Sequence, residues 1–360
     1  MNDYVFKTSA SEVLHFFIDK NNLHVKKLLD SGKFSPSKNL LNNITNSIYI
    51  DIDNFDICHI IYQDTDGNIS YGVYEDENIN FFEILKSKKS DLYQKYFKIE
   101  TINNCVHFFY ILQKENMHSL IHQKLQGSNF DMPKIVQTFE NSKISFSTCK
   151  SYEDLHLFLI ESENPQKIIH KILTSTNPNW IDHPNIPINC NNLYSISSAI
   201  DKKQRPFIIY ACDNTKSNSI GDYLCMVSLD EKGMMQTQKT LPNSKTLQNI
   251  SLSYFNGKYI LTTQSKSFIY TQLLDNGKFL WETPLKASLE SFNLCLFRSN
   301  VSFEKFFIPQ TPVSFQKNLY IPLLDKLKIK DSFKNAMQDE INELKYKIKL
   351  IEKNIFQERQ

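Results

Sequence analysis

Short runs of consecutive apolar residues recur along the chain, flanked by stretches in which apolar and polar residues alternate. Four of the runs carry His in the same place: Leu14-His15-Phe16-Phe17, Cys58-His59-Ile60-Ile61, Val106-His107-Phe108-Phe109 and Leu155-His156-Leu157-Phe158. The column continues with an aromatic residue at Phe207, Tyr259 and Phe306. Successive members are 44, 48, 49, 51, 52 and 47 residues apart. An unbroken apolar run of this length marks a strand buried on both faces, and alternation marks a half-buried one. A repeat of about 40–50 residues built from short strands is the signature of propeller blades.

Within a repeat the order of elements is regular. The fourth reads as an alternating strand at 143–149, an apolar strand at 154–160, a second alternating strand at 166–173 and a closing segment at Trp180. Asp66-Gly67-Asn68, Asn256-Gly257, Asp275-Asn276-Gly277, Asp30-Ser31-Gly32 and Lys232-Gly233 fall between strands and suit tight hairpins, because Gly, Asn and Asp tolerate positive φ. The seventh repeat is incomplete: 292–297, 306–308 and 319–321 fit three strands and a fourth is missing. The pattern predicts an all-β propeller over residues 1–326, of seven four-stranded blades with six as the alternative count. An N-terminal strand is expected to close the ring, since closure removes sheet edges.

Beyond residue 331 the period changes from two to seven. Met337, Ile341, Leu344, Ile348, Ile351 and Ile355 are spaced 4, 3, 4, 3 and 4 apart. This is a heptad seam, and it predicts a C-terminal coiled-coil helix over 331–360 that joins two or three copies of the chain.

Composition narrows the partners. The chain has 360 residues and a net charge of +2, with 41% hydrophobic and 12% aromatic residues. A charge so near zero gives no general pull toward nucleic acid. Arginine occurs only at Arg205, Arg298 and Arg359, which disfavours repeated bidentate recognition of phosphate or carboxylate. No apolar run approaches the length of a membrane span. Seven scattered cysteines without a CxxC pair read as thiols of a reducing compartment, and the expected location is the cytoplasm.

Candidate chemistry is sparse. The histidine column reads as a structural position, because second strands of neighbouring blades stand too far apart to share a metal ion at about 2 Å per ligand. Cys105, His107, His118 and His122 fall on two strands expected to pair, and they are the one place where metal ligands gather in sequence. Asp64-Thr65-Asp66-Gly67-Asn68 lacks the frame of a calcium loop and reads as a hairpin. No nucleophile elbow, phosphate loop, Rossmann fingerprint or zinc-protease motif occurs. No cofactor and no metal are expected.

The strand order and the Leu-His-Leu-Phe runs resemble β-propeller repeats in general, over residues 3–325. Residues 155–180 are similar to blades of sialidase-like and lectin-like propellers, in which an apolar strand precedes a hairpin and a Trp. The Ser-x-Asp-x-Gly-x-Thr-Trp turn of sialidases is absent, and their three arginines are not matched, so the resemblance carries over a fold and no catalytic residue. The expected function is a non-catalytic scaffold that binds a protein partner through its loops and gains avidity through the tail helix. The alternative is a carbohydrate-binding propeller, which exposed aromatics on one face would mark. A glycoside hydrolase-like enzyme with an acidic pair at the channel mouth is the third reading.

Overall fold

The computed structural model describes residues 3–87, 95–102, 105–127, 129–140, 144–151, 154–161, 167–188, 193–212, 223–230, 233–241, 247–275, 278–280, 283–301, 306–315 and 319–327. Among the described residues the strands form six sheets, the blades of a six-bladed propeller. The second blade is Ile44–Ile52, Cys58–Asp64, Ile69–Glu75 and Asn78–Leu85. The third is Phe97–Ile102, Cys105–Lys114 and Met117–Gln126, whose outer side pairs with both Asn129–Phe130 and Lys134–Glu140. The fourth is Ile144–Lys150, Leu155–Glu161, Lys167–Leu173 and Ile181–Pro187. The fifth is Leu193–Ile200, Pro206–Cys212, Tyr223–Leu229 and Met235–Leu241. The sixth is Asn249–Phe255, Lys258–Gln264 and Phe268–Asp275, edged by Lys278–Phe279 and Leu285–Ser288.

The first blade closes the ring and corrects the blade count. Its sheet runs Phe306–Val313, Asn293–Ser299, Asp3–Lys7, Val13–Asp19, Asn22–Lys27 and Lys38–Leu41. The expected first and seventh repeats are therefore one six-stranded blade. They are joined by a parallel pairing that sets Asp3 opposite Cys295 and Val5 opposite Phe297. Closure by an N-terminal strand holds, but it merges two repeats instead of completing a seventh. Phe306–Val313 takes the inner place in this blade and lies against Asn249–Phe255, the inner strand of the sixth.

The core is divided among the interfaces between blades. Consecutive residues of each second strand point to opposite faces, so each strand serves two apolar layers. Ile60 packs toward the first blade with Phe16, Leu23 and Ile50, while Ile61 packs toward the third with Tyr71 and Phe108. Phe109 then joins Leu157 and Leu159 of the fourth blade. Phe158 and Ile160 join Ile208 and Val227, and Ile209 joins Leu252 and Leu261. Ile260 meets Phe297 and Ile308 to complete the ring. Burying one such side chain contributes about 1.5–3 kcal/mol, which explains why the second strands read as unbroken apolar runs.

The only helix among the described residues is Pro322–Lys326, five residues long, with Leu323 buried against the closing blade. The expected coiled coil over 331–360, with Met337, Ile341, Leu344, Ile348, Ile351 and Ile355, falls outside the described residues. No long helix is described, so assembly through the tail is not carried further. No described helix is long and apolar enough to cross a membrane. Cys58, Cys105, Cys149, Cys225 and Cys295 are buried free thiols, whereas Cys212 is disulfide-bonded. The expectation of thiols throughout thus fails at Cys212, and the cytoplasmic location inferred from it is set aside.

Candidate functional site

Polar residues at the ends of inner strands meet around the axis of the ring. Asp51 ends one inner strand, Glu100 lies near the end of the next, and Thr148 and Lys150 end the third. Arg298 comes from Asn293–Ser299 of the closing blade. Together with residues of the fifth and sixth blades they line a cavity of about 930 Å³.

The floor of this cavity is a network of buried charges. Arg298 Nη1 donates to Asp51 Oδ2 at 2.7 Å, with the two residues only 8% and 2% exposed. Asp51 Oδ1 also accepts the Ile52 backbone N–H at 2.9 Å. Burial works against the charge on Arg298, but neighbouring Asp51 outweighs it and keeps the guanidinium firmly protonated. Glu100 Oε1 accepts the Thr148 hydroxyl at 2.6 Å and lies 3.6 Å from Lys98 Nζ. Lys150 Nζ donates to the Thr101 carbonyl at 2.6 Å. Burial, aided by the positive charge of Arg298, pulls the Lys150 ammonium down to about 8. The hydroxyls of Ser253 and Ser299 and Asn300 Oδ1 are buried in the cavity lining and have no hydrogen-bond partner.

At the second and third blades the cavity wall becomes aromatic. Phe55, on the turn after Ile44–Ile52, is 67% exposed, and Phe82, on Asn78–Leu85, is 45% exposed. Phe130 lies beside Phe82, their ring centres 6.1 Å apart. Against these rings stands a polar chain: His59 Nδ1 bonds the Tyr71 hydroxyl at 2.7 Å, and His59 Nε2 lies 3.3 Å from Asp53 Oδ2. Burial pushes the Asp53 carboxyl up. The bonds from His59 and from the Ile57 and Phe55 N–H groups prevail and hold it below the usual carboxylate range.

His59, His107, His156, Phe207 and Tyr259 lie on the second strands of their blades, but His15 lies on the fourth-placed strand of the closing blade and Phe306 on its inner one, and the members of the column are not brought together. His15 bonds Asp3 at 2.8 Å and stacks on Phe315 at 3.9 Å between ring centres. His59 belongs to the cavity just described. His107 Nδ1 lies 2.9 Å from His122 Nε2, and His156 Nδ1 lies 3.1 Å from His170 Nε2. Burial is the main cause that pulls His107 and His156 each down to about 4. Phe207 packs on Tyr259 across two blades, ring centres 4.3 Å apart, and Phe306 opens the inner strand of the closing blade.

Of the Cys105, His107, His118 and His122 group, the first two and His122 line a smaller cavity of about 320 Å³. The fourth, His118, sits opposite Gln113 outside it. Among the described residues, no group of three or more His, Cys, Asp or Glu side chains is arranged to hold a metal ion. Trp180 does not face the large cavity; its Nε1 donates to His122 Nδ1 at 3.3 Å. Sequence reasoning passed over Glu100 and Lys150, noted Arg298 only for the scarcity of arginine, and read Asp51 with Asp53 and Asp56 as solvated loop, whereas Asp51 is buried and lines the cavity with Asp53. The signal of Asp51, Glu100, Lys150 and Arg298 was a charge set within apolar strand runs, where charged side chains are rare unless paired.

No protein-family model matches the chain, and no curated protein matches it. Solved structures are similar in fold. One is a polysaccharide lyase, an ulvan lyase bound to -[GlcA(1-4)Rha3S]-, at 11% identity and TM-score 0.55, covering 88% of this chain and 93% of that one. Another is the α-L-arabinanase of Penicillium chrysogenum complexed with arabinobiose, at 7% identity and TM-score 0.51, covering 77% and 95%. The lectin of Aleuria aurantia in complex with Fucα1-6GlcNAc reaches TM-score 0.46 at 10% identity, covering 80% and 95%. At these identities the likeness shows the fold alone. The expected scaffold joined through its tail helix is corrected: among the described residues no long helix is present to join copies.

Proposed function

We propose that the chain binds carbohydrate in the cavity at the propeller axis. One observation carries the reading: a single cavity of about 930 Å³ joins exposed phenylalanine faces to convergent polar side chains. A pyranose ring has an apolar face and a rim of hydroxyls. The faces of Phe55 and Phe82 suit the first, and Ser253, Ser299, Asn300 and Thr101 suit the second. Sites of this kind are concave, largely apolar and set by a few placed polar groups. Exposed aromatics on one face are the feature that separates a carbohydrate-binding propeller from a scaffold. That two neighbours of similar fold are described with bound oligosaccharides is compatible with the reading.

We read the site as binding without turnover. Asp51 is bonded to Arg298, and Glu100 to Thr148. Asp53 is held below the usual range, the opposite of what a general acid needs.

A panel of immobilised oligosaccharides tests the proposal, with wild type compared against Phe82→Ala. Saturable binding to a subset of glycans, weakened in the variant, is the expected result. Absence of binding across neutral and acidic glycans would refute it.

A further inference from the structure

Lys150 is the cation of the cavity floor that no carboxylate meets among the described residues. It donates to the Thr101 carbonyl at 2.6 Å and lies 3.4 Å from the Thr101 hydroxyl. The charges that act on it most are Arg298 and Lys98, of the same sign, and Glu100 and Asp51. Both carboxylates are engaged: Asp51 with Arg298 at 2.7 Å, Glu100 with Thr148 at 2.6 Å and Lys98 at 3.6 Å. Counting Lys98, which meets Glu100 from outside the cavity lining, three cations stand with two carboxylates, and Lys150 is the one without an ion pair among the described residues.

The other carboxylates of the cavity lie with partners of their own. Asp53 is bonded to His59, and Asp201 is held by Arg205 through Nη2 at 2.7 Å and Nε at 2.9 Å. Buried charges without a partner are costly, so a cation left in this state marks the place where an anion is to come. The same cavity is also lined by the Ser299 hydroxyl and Asn300 Oδ1, each buried and without a partner. The hydroxyl can donate to an anionic oxygen, and the amide oxygen can accept from a sugar hydroxyl.

We propose that the cavity floor receives the anionic group of an acidic sugar, a carboxylate or a sulfate, at Lys150, with Arg298 beside it. The proposal rests on the carbohydrate reading and narrows it to acidic glycans. An anion at that point would raise the Lys150 pKa from about 8. Affinity is then full where Lys150 is protonated in the free protein, and it declines as pH rises through and above that value.

The experiment is titration calorimetry of the full chain with matched pairs of oligosaccharides. A trigalacturonate is set against its carboxyl-reduced form, and a sulfated disaccharide against its desulfated form. Wild type, Lys150→Gln and Lys150→Arg are compared. The acidic member of one pair is expected to bind at least about tenfold more tightly, a difference of about 1.4 kcal/mol. Lys150→Gln abolishes the difference and Lys150→Arg keeps it. Affinity of wild type for the acidic member falls between about pH 7 and 9, whereas that of Lys150→Arg does not. Which pair responds tells carboxylate from sulfate. Equal binding of both members of each pair would overturn the anion site and leave the carbohydrate reading standing. Binding of no member of either pair would overturn the anion site together with the reading beneath it. Should Lys150→Gln not fold, the pH dependence of wild type against Lys150→Arg decides alone, and a flat wild-type profile overturns the proposal.

Discussion

Replacing Arg298 with Met removes one half of an ion pair that joins the closing blade to the second blade. The guanidinium and the Asp51 carboxylate approach to 2.7 Å, with side chains 10% and 3% exposed. Methionine fills much of the space of the arginine stem, so little cavity is left and the loss is electrostatic. Asp51 would keep the Ile52 N–H on its other oxygen, but no direct charge partner. Removing one member of a buried pair costs about 3–5 kcal/mol. The retained backbone bond argues for the lower part of that range. Urea unfolding followed by intrinsic fluorescence is the assay. With an m-value of at least about 3 kcal/mol/M for a chain larger than the small-protein range, the midpoint should fall by about 1 M.

The double variant, Asp51→Leu with Arg298→Met, separates the pair from its surroundings. Each single change leaves a buried charge alone, and the double change leaves none. The double loss should therefore be smaller than the sum of the single losses by more than about 1 kcal/mol. Hydrogen exchange should place the loosening of Arg298→Met first in Asn293–Ser299, the strand that carries it. A single-variant cost below about 1 kcal/mol, or single losses that simply add, would refute the reasoning.

Three further outcomes follow from the same geometry. Phe82→Ala should weaken glycan binding by about 0.5–1.5 kcal/mol, the usual worth of an aromatic contact, and leave the melting temperature nearly unchanged because the ring is 45% exposed; titration calorimetry with scanning calorimetry checks both. His107 and His156, each held down to about 4 mainly by burial, stay neutral in the fold while the unfolded chain takes up protons near 6.5. Stability is therefore full above about pH 6.5 and falls as pH drops toward about 4, by up to about 3 kcal/mol per group; melting temperatures across that range that do not fall would contradict the assignment. Gly233→Ala should destabilise by more than about 1 kcal/mol, since φ is +74° there and an added Cβ would stand 2.8 Å from His183 Nδ1 and 2.9 Å from His170 Cε1; an unchanged urea midpoint would refute it.

The repeat was legible because each second strand is buried on both faces. Residues such as Ile60 and Ile61, or Phe108 and Phe109, belong to different apolar layers, and this forces unbroken apolar runs. The blade count was not legible. Asn293–Ser299 carries the apolar pattern of a blade strand, and its pattern does not reveal that its neighbour is Asp3–Lys7, nearly 300 residues away. A parallel pairing between the two ends leaves no turn signal between them. Hairpin corners were readable: Asn256 and Gly257 both take positive φ, 46° and 81°, and Phe255 pairs with Lys258 across them.

The candidate site was hidden for a different reason. The histidine column repeats in four of the six blades, so it drew notice, yet at His15, His107 and His156 it serves packing and hydrogen bonds within its own blade. His107 and His156 bond His122 and His170 of their own blades. A binding site is made where blades differ. Asp51, Glu100 and Lys150, near the ends of inner strands, and Arg298, on the second-placed strand of the closing blade, occupy different blades. Asp51 and Glu100 hold the same place in their blades, opposite His59 and His107, but the acid does not continue round the ring, and each alone looks like an isolated charge near a turn. Only the closure of the ring brings them to one axis, and the pairing of Arg298 with Asp51 depends on that closure directly. Binding chemistry and ring closure therefore share residues in this propeller. A variant such as Arg298→Met should lose stability and ligand together, whereas Phe82→Ala should lose ligand alone.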